Sequence, residues 1–137
     1  MEAVAEDGSI QPIRVLICNK YTLFREGIKA LLQQGIVIEV AGEAGTAKEV
    51  IQQMSKIKPD VVLLDATTPD ATGSQTVQKL KSIDPDARIL ILSMDDDEPL
   101  VRSCLDAGAM GYIRKNDSAI NLKRTINQAC GRGARAA

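Results

Sequence analysis

Five short apolar runs alternate with five stretches of helical periodicity, and this alternation limits the fold more than any other feature of the chain. The apolar runs cover 13–18, 36–40, 61–64, 89–92 and, more weakly, 110–113. Phe24, Ile28 and Leu31 recur at i, i+4 and i+7, as do Val50, Met54 and Ile57. Val77 with Leu80, then Leu100, Val101, Cys104 and Leu105, then Leu122, Ile126 and Ala129 make three further one-sided patterns. Continuous apolar runs are the signature of strands buried on both faces. Strands alternating with helices over short links give a parallel sheet covered by helices on both sides.

The predicted architecture is therefore an α/β, doubly wound (βα)5 domain. Its expected strand order is the flavodoxin-like 2-1-3-4-5, with the switch point between strands 1 and 3. Helix-end signals agree with this reading. Thr46 followed by Glu49 has the spacing of a capping box. Asp95, Asp96 and Asp97 put negative charge at the start of the fourth helix, with Pro99 in its first turn. Gly108 suits the end of that helix, and Asp117 or Ser118 suits the cap of the last.

The 137 residues fit one domain. Its expected extent is 12–130, after a loose arm at 1–11 and before a tail or linker start at 131–137. Aromatic residues are 2% of the chain, so the core must be aliphatic and stacking on bases is a poor mode of binding. A net charge of −1 argues against broad electrostatic attachment to nucleic acid or membrane. Lys123, Arg124, Arg132 and Arg135 read as a solvated face and tail. No stretch of about 18 apolar residues exists to span a membrane, and 1–11 lacks a signal-peptide pattern. Cys18, Cys104 and Cys130 are odd in number and scattered, as expected of reduced, buried thiols in a cytoplasmic protein. With no histidine, the chain has no imidazole base, metal ligand or phosphoryl donor.

Asp65 closes the run Val61-Val62-Leu63-Leu64, and Thr67-Thr68-Pro69 and Gly73 then turn the chain. This puts a carboxylate at a strand's carboxyl end, where open α/β sheets hold their ligands. Ser93 and Lys115 end the fourth and fifth runs in matching places. A carboxylate, a hydroxyl and an ammonium at three strand ends suggest phosphoryl handling. The first strand ends instead in Asn19-Lys20, where a metal site would need acids.

Several blocks together resemble a response-regulator receiver domain of the LuxR/NarL type. They are Ile13-Arg14-Val15-Leu16-Ile17, Thr22-Leu23-Phe24-Arg25-Glu26-Gly27, the run ending at Asp65 with Pro69 and Gly73, Gly108-Ala109-Met110-Gly111-Tyr112, and Lys115. The resemblance implies a non-enzymatic module of two-component, phosphorelay signalling. In it Asp65 is the phosphoacceptor, Lys115 contacts the phosphoryl group, Ser93 is the switch hydroxyl and Tyr112 the switch aromatic. The Thr67 carbonyl would help to hold Mg²⁺. The implied partners are a histidine kinase or other signalling protein, and a second copy through the fourth helix, fifth strand and fifth helix. Such receivers usually precede a helix-turn-helix module, for which no room exists before Ala137. This chain itself is thus expected to bind no nucleic acid, and its output is protein contact, or transcriptional if it is a piece of a longer protein.

The sequence departs from that family at its acidic pair, where Asn19 and Lys20 stand. Counting Asp65, Lys20 and Lys115 leaves one positive charge in excess, whereas Mg²⁺ wants carboxylate and other oxygen ligands. The expectation is a receiver with weak or absent Mg²⁺-dependent phosphorylation and Lys20 pairing with Asp65; Asp95 and Asp96, in the loop after Ser93, could supply a rescue ligand. The alternative is a conventional receiver, phosphorylated on Asp65 and controlling a DNA-binding module outside this chain. A dehalogenase-like hydrolase would need an acid where Thr67 stands. A flavin carrier would need a phosphate loop in place of Asn19–Thr22.

Overall fold

The computed structural model describes residues 11–33, 38–94 and 98–131. Five parallel strands form the main sheet: β1 (Ile13–Cys18), β2 (Ile38–Ala44), β3 (Val61–Asp65), β4 (Ile89–Ser93) and β5 (Gly111–Arg114). Numbered in this way, their order is β2-β1-β3-β4-β5, as the sequence predicts. The helices are α1 (Thr22–Leu32), α2 (Ala47–Ile57), α3 (Gly73–Ile83), α4 (Glu98–Ala107) and α5 (Ala119–Ala129).

Each central strand feeds two cores. Leu16, Cys18, Val62, Leu64, Ile89 and Ile91 pack with α2, α3 and α4 on one face. Val15, Ile17, Leu63, Leu90 and Leu92 pack with α1 and α5 on the other. Both faces being apolar is why these strands read as unbroken runs rather than alternations. In α1 the buried residues are Ile28 and Leu32, while Phe24 and Leu31 are only partly covered. The row facing the sheet is thus Phe24, Ile28 and Leu32, spaced by four, rather than the expected row through Leu31.

The second strand differs most from expectation. Residues 36 and 37 lie outside the described residues, and β2 continues to Ala44 through Gly42 and Glu43. Among the described residues it is an edge strand paired only with β1, so its second half needs no apolar run. A register shift between Val15 and Leu16 skips Ala41 and bends this edge.

Helix ends follow local chemistry. The Thr46 hydroxyl accepts from the Glu49 N–H at 3.1 Å, but the Glu49 carboxylate reaches back to the Gly45 N–H at 2.8 Å. The reciprocal box expected at Thr46 occurs instead at Thr72 and Gln75, at the start of α3. Ser118 caps α5. Gly108, with φ of 123°, follows the last turn of α4 in a conformation that favours glycine. The aspartates at 95–97 lie outside the described residues.

Candidate functional site

Parallel pairing sets the carboxyl ends of β1 and β3 side by side, with Cys18 opposite Leu64. The next residue on each strand is Asn19 and Asp65. Both are buried, at 0% and 4% exposure. The Asn19 Nδ2 donates to Asp65 Oδ2. Lys115 Nζ reaches the same oxygen at 2.8 Å, and the Thr67 N–H donates to Oδ1 at 3.2 Å. Every one of these three contacts brings a donor to the carboxylate.

The orientation of the Asn19 amide follows from its other bond. The Tyr21 N–H, which can only donate, meets Asn19 Oδ1 at 2.8 Å. That side-chain turn leaves Nδ2 for Asp65 and puts Lys20 at its apex. Lys20 is therefore exposed, with its ammonium 4.9 Å from the centre of the Tyr21 ring. The expected pairing of Lys20 with Asp65 is absent, and Asn19 takes its place. Lys115 is positioned by its own N–H bond to the Ser93 carbonyl at 2.7 Å and lies 5.5 Å from the centre of the Phe24 ring.

Ser93 and Tyr112 meet elsewhere. Both border a cleft of about 280 Å³ against α4, with Val101 and Leu105 on its wall and Arg102 and Arg114 at its margin. Ser93 is buried, whereas Tyr112 is 46% exposed. The six sequence-predicted residues thus fall into an inner group of Asp65, Asn19 and Lys115, a cleft pair of Ser93 and Tyr112, and Lys20 outside both. Thr67 joins the inner group through its N–H.

Long-range partners brace this rim, and no local pattern marks them. The Asp70 carboxylate accepts from the N–H groups of Ala47 and Lys48 at 2.8 and 3.0 Å, which ties the loop after β3 to the start of α2. Those two bonds hold the Asp70 carboxyl below its usual range. That loop carries a two-residue ribbon, Thr67–Thr68 with Ala71–Thr72. Gly73 then packs so closely that a Cβ would collide with the Ala66 carbonyl and lie 2.7 Å from Cys104 Sγ.

Burial, then the nearby Asp65 charge, pushes the Cys18 thiol up to about 12, so it stays protonated beneath the site. Cys104 is also buried and free, while Cys130 is only partly covered. Among the described residues, no group of three or more His, Cys, Asp or Glu side chains is placed to hold a metal ion. No helix of the described residues is long and apolar enough to cross a membrane.

With this geometry in view, the comparisons are specific. Residues 15–127 match the model of the response regulator receiver domain, and the chain belongs to that family. It is 36% identical over 121 residues to the transcriptional regulatory protein MctR of Rhizobium johnstonii, covering 88% of this chain and 56% of that protein. It is 30% identical over 119 residues to the nitrate/nitrite response regulator protein NarL of Escherichia coli K12, covering 87% and 55%. A crystal structure of a LuxR-family two-component response regulator from Aurantimonas superposes with a TM-score of 0.82 at 28% identity, covering 89% of this chain and 88% of that one. The chain therefore spans about half the length of the curated relatives it matches.

Proposed function

We propose that this receiver domain carries its phosphoacceptor position at Asp65, is weakly or not at all phosphorylated in a Mg²⁺-dependent way, and signals through protein contacts. The observation that carries this reading is the Asn19 amide, which donates to Asp65 where the family would place an acid. Mg²⁺ wants an octahedral set of oxygens. Among the described residues, the side chains in contact with Asp65 are an amide donor and an ammonium. They do not fit the ion, and the Thr67 carbonyl alone would not hold it. The cation at the carboxylate is instead Lys115, whose ammonium satisfies the charge of Asp65 in place.

In this reading the domain catalyses nothing itself. Its partners are a histidine kinase or another cytoplasmic signalling protein, with a homodimer through α4, β5 and α5. Ser93 and Tyr112 face the cleft through which a change at Lys115 would be reported, since the Lys115 N–H bonds the Ser93 carbonyl. A second reading, a conventional receiver governing a DNA-binding module, is favoured by one fact: the relatives are named as transcriptional and response regulators, and the matched region is only 55–56% of their length.

Phosphoramidate distinguishes the two. Attack by an Asp65 oxygen on phosphorus would break the P–N bond and release ammonia, leaving an acyl phosphate visible by intact mass. The expected result is no adduct, or the same small adduct with and without Mg²⁺. A strong Mg²⁺-dependent adduct that disappears in Asp65→Asn would establish the conventional reading.

A further inference from the structure

All four polar groups of Asn19 are committed. Its N–H donates to the Ala44 carbonyl at 3.0 Å, its Oδ1 accepts from Tyr21, and its Nδ2 donates to Asp65. Its carbonyl lies beyond the last rung of the ladder, at a buried position where an unpaired acceptor is costly. One residue supplies the missing donor. Arg25, on the first turns of α1, points Nη1 at the Asn19 carbonyl.

The same guanidinium is held from two other sides. Its Nε meets Glu43 Oε1 on β2 at 3.0 Å, and its Nη2 meets the Thr22 hydroxyl at 3.3 Å. Glu43 also takes Lys29 at 2.8 Å, and these two cations, Lys29 foremost, hold the Glu43 carboxyl below its usual range. The Arg25 side chain is largely covered, at 16% exposure. A planar fork with five donors fits such a junction, and a lysine does not.

We propose that Arg25 is a positioning residue for Asp65, acting through the main chain of Asn19. By fixing the Asn19 carbonyl against β2 it sets where the Asn19 amide stands, and hence the direction in which a neutral donor meets the Asp65 carboxylate. Glu43 anchors the guanidinium. The inference rests on the reading of Asp65 as the phosphoacceptor position held by an amide and an ammonium, but its test needs no phosphorylation and fails separately from that reading.

The test is the side-chain NH₂ resonance pair of Asn19 in the folded domain. Asp65→Ala fixes the position of those resonances when the amide has lost its carboxylate. Arg25→Met keeps the aliphatic stem and its packing but removes the fork. The expected result is that the Asn19 Nδ2 resonances of Arg25→Met move to the Asp65→Ala position. Glu43→Gln, which still offers Arg25 an oxygen, should leave them near wild type. If Arg25→Met lowers the melting temperature but leaves the Asn19 pair at its wild-type position, Arg25 is only structural and the proposal is overturned. Arg25→Lys serves as a second variant, and retention of the wild-type pair there would equally overturn the claim that the fork is required.

Discussion

Replacing Asn19 by aspartate is the perturbation that bears hardest on this site. Asn19 is fully buried and Asp65 is 4% exposed, so the variant sets two carboxylates in hydrogen-bond range with little water between them. At an effective dielectric of about 20 and a separation of ~3 Å, two like charges repel by about 5–6 kcal/mol. A shared proton limits that cost. Holding a carboxyl of ordinary pKa ~4 protonated at about pH 7.5 costs roughly 5 kcal/mol. Lys115 remains on Asp65 and offsets part of the repulsion, so a net loss of about 3–5 kcal/mol is expected for Asn19→Asp at neutral pH. For a domain of this size that corresponds to a fall in Tm of about 10–20 °C. The sign with pH is fixed. The folded variant holds a proton that the unfolded chain releases, so its deficit grows as pH rises and shrinks to about 1–2 kcal/mol near pH 5. Millimolar Mg²⁺ should stabilise the variant, which sets a second carboxylate beside Asp65, and not the wild type. Urea unfolding at the two pH values, with and without Mg²⁺, reads all three effects. A variant as stable as wild type at neutral pH without metal, or a deficit independent of pH, would show that the two carboxylates do not share a buried proton.

Other residues give sharper single tests. Lys115→Ala removes the charged partner of Asp65 across 2.8 Å and should cost about 2–4 kcal/mol in urea unfolding, most of it regained when Asp65→Asn is added. Gly73→Ala forces a Cβ against the Ala66 carbonyl and Cys104, and should lower stability by about 1–3 kcal/mol despite better helix propensity. Asp70 has a lowered pKa, so its contribution is present above the ordinary carboxylate range and lost as pH falls through its folded value. Asp70→Asn should therefore be less stable than wild type at neutral pH, with the difference closing below about pH 4, as followed by thermal melts across the acid range.

How far the sequence alone reaches depends on whether a contact is local or long-range. β1, β3 and β4 were legible because both of their faces are buried, and a run such as Ile89–Ser93 has no polar interruption until its end. β2 was legible only in its first residues, because Gly42 and Glu43 lie on an edge where apolarity is not required. Asp65, Asn19 and Lys115 were found from their places at strand ends, since a parallel sheet brings all carboxyl ends to one rim. Lys20 was misplaced because its direction depends on the Asn19–Tyr21 side-chain turn, which adjacency in sequence does not reveal. Arg25 with Glu43, and Asp70 with α2, lie 18 and 22 or more positions apart and leave no periodic trace. Their roles emerge only when the chain has folded.

An amide and an ammonium engage the Asp65 carboxylate, which leaves it a poor seat for a divalent metal. Titration of the wild-type domain with Mn²⁺, followed by paramagnetic broadening of backbone amides, tests it most directly. The expected result is no selective loss of the Asp65, Ala66 and Thr67 signals at concentrations that leave the rest of the spectrum intact. Selective broadening of those three, reversed by excess Mg²⁺, would contradict it.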